Sequence, residues 1–131
     1  MVPISDLRQG DIVKVNDEGV ERVGTVVDLS HEDNMALVDN GIQEFWYAPE
    51  QMGAIPLDEE QLLMLGFEKV QTEAGTKYMR GPFRVLTHEP GDFSHLEVWY
   101  REDHRHFHKP LFVHELQNHY HQMTKVTLER P

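Results

Sequence analysis

Through the first 55 residues, short apolar runs are cut by turn signals at a spacing near ten residues, and that rhythm leaves few folds open. Asp11-Ile12-Val13-Lys14-Val15-Asn16 alternates apolar and polar, and Asp17-Glu18-Gly19 turns it. Val23-Gly24-Thr25-Val26-Val27-Asp28-Leu29 is a β-branched run, closed by the polar turn His31-Glu32-Asp33-Asn34. Met35-Ala36-Leu37-Val38, the turn Asp39-Asn40-Gly41 and the strand Ile42–Tyr47 follow, ended by Ala48-Pro49. Four or five strands this short and closely spaced predict a small barrel or curled sheet.

A different pattern begins near Ala54–Asp58. Asp58 can cap a short helix, with Glu59 and Glu60 where the helix dipole favours carboxylates; Leu62, Leu63 and Leu65 supply its apolar stripe and Gly66 its stop. Phe67 and Val70 then resume a buried pattern. Strands are expected at Thr76–Met79, Phe83–Leu86 and Ser94 to Arg101, punctuated by Gly75, Gly81-Pro82 and Pro90-Gly91-Asp92. In the last of them Leu96, Val98 and Tyr100 share one face, opposite Glu97, Trp99 and Arg101. Arg101-Glu102-Asp103 is a turn, and His104 to His108 a short extended piece. A final helix is expected from Leu111 to Thr124, because Val113, Leu116, Tyr120 and Met123 form an apolar seam.

The lead-in Ile4 to Val13 is similar to the "L-x-x-G-D-x-V" opening of SH3-like barrels. The expected class is therefore α+β: residues 1–55 an SH3-like small β-barrel, residues 56–131 a helix, a small antiparallel sheet and a C-terminal helix packed on it.

Charge is divided as sharply as pattern. The net formal charge is -11, and residues 1–60 carry 14 Asp/Glu against 3 Lys/Arg, whereas residues 61–131 carry 9 of each. The acidic first part repels phosphate backbones, so direct nucleic-acid binding is not expected there. It can instead act as a DNA mimic or offer Phe45, Trp46 and Tyr47 to a protein partner. The chain has no cysteine, which removes disulfides and thiolate metal sites. Neither a run of roughly 20 apolar residues nor a basic-then-apolar start is present, so a cytoplasmic protein without a membrane segment is expected.

Eight of the nine histidines fall between His88 and His121. His104, His106 and His108 alternate along an extended piece and can present three imidazoles on one face, a donor set suited to Zn²⁺. With His114 added, that set suggests a metal-dependent hydrolase; without catalysis, the only cofactor it implies is zinc. No serine elbow or phosphate loop is present to suggest other chemistry. A second candidate site combines His114, Gln117 and Asn118 on the final helix with Arg84 and Arg101 for anion contacts and Trp99 and Tyr100 for stacking. Such a set suits a nucleotide-sized anion, including at an interface between copies of the chain. The plainer alternative is that Gln117 and Asn118 bond to sheet edges of the barrel.

Three segments carry a resemblance. They are Leu7-Arg8-Gln9-Gly10-Asp11-Ile12-Val13; Ile55 to Leu63 with Leu65-Gly66-Phe67-Glu68; and Val113-His114-Glu115-Leu116-Gln117-Asn118. In this order they resemble a family of small uncharacterised proteins of Bacteroidetes genomes, prophages and phages. His119 and His121 stand where that family is apolar or aromatic, and Lys125 where it has glycine. The resemblance carries no catalytic residue. It implies a mobile-element setting and action by binding in the host cytoplasm: capture of a small anionic defence signal, or inhibition of a host protein. A non-enzymatic binding protein is thus the leading expectation, ahead of the hydrolase and the acidic mimic.

Overall fold

The computed structural model describes residues 1–131. Two compact units divide the chain: Met1–Ile55 with Phe112–Asn118, and Pro56–Leu111 with His119–Pro131. Each contains one five-stranded antiparallel sheet. Together with the C-terminal helix these make the chain α+β, and no helix is long and apolar enough to cross a membrane.

In the first unit β1 (Ile12–Asp17), β2 (Val20–Ser30), β3 (Met35–Asp39) and β4 (Glu44–Tyr47) form a meander, and the two-residue β5 (Met52–Gly53) returns to β1. Asp17 pairs with Val20, so Glu18 and Gly19 alone make the first turn; both have positive φ, 51° and 85°, which matches strand twist. The Asn16 side chain accepts the Gly19 N–H at 2.8 Å and holds the turn. A bulge between Val26 and Asp28 bends the long β2. Gly24 is required where β2 passes β3, since a Cβ there would stand 2.9 Å from the Asp39 carbonyl oxygen. Val13, Val15, Val26, Val38 and Tyr47 point inward with Val2, Ile4 and Leu7 to make the core. Inside it Asn40 donates to the Tyr47 hydroxyl at 2.9 Å, so the buried amide and phenol satisfy each other.

In the second unit α1 (Glu59–Met64) starts at Asp58, whose carboxylate accepts the Gln61 N–H at 2.9 Å, and stops before Gly66 at φ 86°. The sheet runs β10 (Asp103–Phe107), β9 (Leu96–Tyr100), β8 (Phe83–Thr87), β7 (Gly75–Arg80), β6 (Glu68–Thr72), each strand antiparallel to the next. The patterns of β6 and β10 did not announce full strands, because both lie at sheet edges and lack a buried alternation. Val70, expected inside, is 40% exposed on β6 for that reason. One face of this sheet packs: Tyr78, Phe83, Val85, Leu96 and Val98 are buried, and the Phe83 and Tyr120 rings meet at 4.6 Å.

The helix α2 (Val113–Thr124) buries Val113, Leu116 and Met123 as its periodicity predicts. At its start the Glu115 carboxylate accepts the Phe112 N–H. At its end Lys125 donates its N–H to the His121 carbonyl and takes φ 65°, a left-handed position that favours glycine.

Candidate functional site

Strand alternation decides what the second sheet shows to solvent. With Phe83, Val85, Leu96 and Val98 turned inward, Arg84, Leu86, Glu97, Trp99, His104 and His106 are turned outward. The register sets these side by side: Trp99 lies between Arg84 and His104, and Glu97 between Leu86 and His106. Because β10 pairs with β9 from Asp103↔Tyr100 to Phe107↔Leu96, the next residues out, His108 and His95, come opposite each other.

Two histidine arrangements result. The Glu97 carboxylate, with little exposure, holds His88 Nε2 at 2.8 Å through one oxygen and His104 Nε2 at 2.9 Å through the other. His104 also stacks on Trp99, centroids 3.9 Å apart. Beyond it, His95, His106 and His108 are all exposed and bring their ligand nitrogens within 4.8 Å of one another. Their rings crowd accordingly: 4.2 Å between His106 and His108, 6.0 Å between His95 and His108. Zinc–imidazole bonds near 2.0–2.1 Å place tetrahedral nitrogens roughly 3.4 Å apart, so small side-chain rotations close this set around an ion. A histidine triad able to hold a metal ion is therefore present.

Its membership differs from the strand-period expectation. His106 and His108 belong; His104 is engaged by Glu97 and Trp99, and His95 takes its place. His95 carries no spacing signal. A two-residue turn at Arg101-Glu102 would have revealed it, since that turn alone fixes the register that puts 95 opposite 108. Glu97 and His88 were missed because their meeting depends on the β8–β9 register, which sets Glu97 opposite Leu86.

The other expected residues fall in two groups. Arg84 lies over the Trp99 ring, 5.6 Å from its centroid, and donates to the Arg101 carbonyl at 3.2 Å; Arg101 lies 5.3 Å over Tyr100. Trp99 thus has a neighbour from β8 and another from β10 against its ring, and a nucleobase stacking there competes with His104. His114, Gln117 and Asn118 belong to the first unit. Gln117 is buried; its oxygen accepts the Ile12 N–H at 2.8 Å and its amide donates to the Gly10 carbonyl at 2.9 Å. Asn118 donates to the Asp6 carbonyl at 2.9 Å. These are bonds to the lead-in and first residue of β1, the plainer of the two roles weighed for the pair.

Beside them Asp11 is buried, with its carboxylate accepting the Arg8 N–H at 2.9 Å. Burial pushes this carboxyl up to about 7, against the backbone hydrogen bond from Arg8, the Asn118 side chain and the Arg8 charge. His114 is held below its ordinary range by burial, although Glu115 and Asp6 pull the other way.

Comparison with family models, with curated proteins and with solved structures found no match.

Proposed function

We propose that the protein is a non-enzymatic binding protein whose second unit takes up a divalent transition-metal ion at His95, His106 and His108. The single observation behind this reading is the convergence of three exposed imidazoles from two strand ends. Neutral imidazoles suit zinc, copper and nickel, and zinc is the ion best matched to three nitrogens plus a water. Exposure on an outer sheet face favours uptake of an ion over a water-excluded reaction centre. Elemental analysis of untagged protein after zinc loading and dialysis tests it. One equivalent retained by the wild type, and lost in His106→Ala, is the expected result; no retained zinc overturns it.

A second reading is capture of a small anionic ligand by Arg84 and Arg101, neither of which forms a salt bridge to a carboxylate. Because His104 already stacks on Trp99, guanidinium contacts and not base stacking would carry recognition. A thermal-shift screen against cyclic nucleotides and ADP-ribose derivatives tests this, and no shift with any of them removes it. The phage or mobile-element origin and the role against host defence rest on the sequence resemblance alone. An SH3-like barrel is the finer reading of the first unit, supported by its meander and by β5 returning to β1 after the 3-10 turn Pro49–Gln51.

A further inference from the structure

β4 is an edge strand of the first unit: β3 pairs one side of it, and no strand pairs the other. At the hairpin Asn40 donates its N–H to the Gln43 carbonyl, so antiparallel alternation makes Val38↔Phe45 and Ala36↔Tyr47 the bonded pairs. The N–H and C=O groups of Glu44 and Trp46 therefore point to the open edge, a row on which another strand can add.

Side chains say what that strand should carry. Tyr47 is buried, so alternation puts Glu44 and Trp46 on the outer face of the sheet. Trp46 is 38% exposed there, opposite the half-buried Leu37. Asp39 stands opposite Glu44, and Asp28 beyond Leu37 on β2. None of these three carboxylates forms a salt bridge. Asp28 and Asp39 each give one oxygen to a main-chain N–H, of Leu29 and Gly41. The chain has no lysine or arginine between Arg22 and Lys69, so nothing in this stretch balances the charge. An indole flanked by unbalanced carboxylates attracts a guanidinium or ammonium group. On the other side of β4, Phe45 is 51% exposed and offers apolar contact. A second copy of the chain is disfavoured as occupant, because its own β4 would set Glu44 and Asp39 against like charges.

We propose that the open edge of β4 takes up an extended segment of a partner protein that alternates basic and apolar residues. The segment adds as a further strand, with basic side chains over Trp46 and beside Glu44 and Asp39, and an apolar one against Phe45. The surface lies wholly in the first unit and is independent of the histidine triad.

The test uses the full chain in EDTA, so that metal at the triad plays no part. The peptide acetyl-Gly-Arg-Val-Arg-Val-Arg-Gly-amide is titrated against it, and main-chain amide resonances are followed by NMR. One control has glutamate in place of arginine; the other regroups the same residues as Gly-Arg-Arg-Arg-Val-Val-Gly. Expected are saturable shifts at the Glu44 and Trp46 amides with the alternating peptide, none with the glutamate peptide, and about tenfold weaker binding of the regrouped one. Glu44→Gln should weaken binding about threefold and Trp46→Leu about fivefold, both at exposed positions. Equal affinity for the regrouped peptide would show charge attraction alone and overturn strand addition. So would the absence of saturable shifts at β4, or affinity unchanged in both variants.

Discussion

Gln117 closes a contact with Ile12 across 105 residues of sequence: its side-chain oxygen accepts the Ile12 N–H at 2.8 Å where β1 begins. The same amide donates to the Gly10 carbonyl, so one side chain satisfies both a donor and an acceptor of the buried β1 lead-in. Main-chain groups in that position have no water to turn to.

Gln117→Leu keeps the volume and removes both bonds. It is expected to destabilise the first unit by roughly 2–4 kcal/mol, the cost of two buried main-chain groups left unpaired. Urea unfolding followed by Trp46 fluorescence in a Trp99→Phe background reads the first unit directly; an unchanged midpoint for Gln117→Leu contradicts the assignment.

Asp11 predicts an unusual pH dependence. Its carboxyl titrates at its ordinary 3.8 in the unfolded chain and at about 7 in the fold. Below pH 3.8 both states are protonated and its contribution is fully present. Between 3.8 and 7 only the unfolded chain ionises, so stability is lost as pH rises, at up to about 1.4 kcal/mol per pH unit. His114 has the opposite sign: its lowered folded pKa gives stability that is present above 6.5 and lost as pH falls. Asp11→Asn should therefore gain stability over the wild type at pH 8 and lose that advantage by pH 4. Unfolding midpoints at pH 4, 6 and 8 measure it, and parallel curves for the two proteins refute it.

Zinc should raise the melting temperature of the wild type in a concentration-dependent way, since an ion bound only by the fold stabilises it. His95→Ala and His106→Ala should abolish that rise, whereas His104→Ala should keep it, because His104 is turned to Glu97 and Trp99. Loss of the effect in His104→Ala together with its survival in His95→Ala would restore the strand-period set and reject the triad.

Lys125 closes α2 at φ 65°. A left-handed residue other than glycine costs about 1–2 kcal/mol, offset in part by the greater freedom of glycine in the unfolded chain. Lys125→Gly is thus expected to stabilise the protein by up to about 1 kcal/mol, seen as a rise in melting temperature; a fall would show that the lysine side chain contributes more than its backbone costs.

Local grammar made much of the architecture readable. Asp58 and Gly66 bracket α1 where side-chain capping and left-handed backbone demand them, and of the seam Val113, Leu116, Tyr120 and Met123 all but the half-buried Tyr120 are buried. The edge strands β6 and β10 were harder, because a strand with solvent on one side and at one edge needs no apolar alternation. For the site, residue type pointed to the right neighbourhood, since the histidines of β10 do turn outward. It did not identify the set: His104 and His106 share a face, but His104 is taken by Glu97 and Trp99 of β9, while His106 joins its near neighbour His108 and His95 from before β9.

From the sequence alone follow the α+β class, the short strands, the places of the two helices (α2 begins at Val113, two residues after the expected Leu111) and the charge division between the two parts, all set by periods and signals a few residues long. Tertiary structure alone decided that His95 joins His108, that Glu97 takes His88 and His104, and that Gln117 is spent on Ile12 and Gly10. The reason is physical. A side chain's neighbours along the chain are set by backbone geometry, whereas its partner across a sheet depends on strand register, and its burial on which elements cover it.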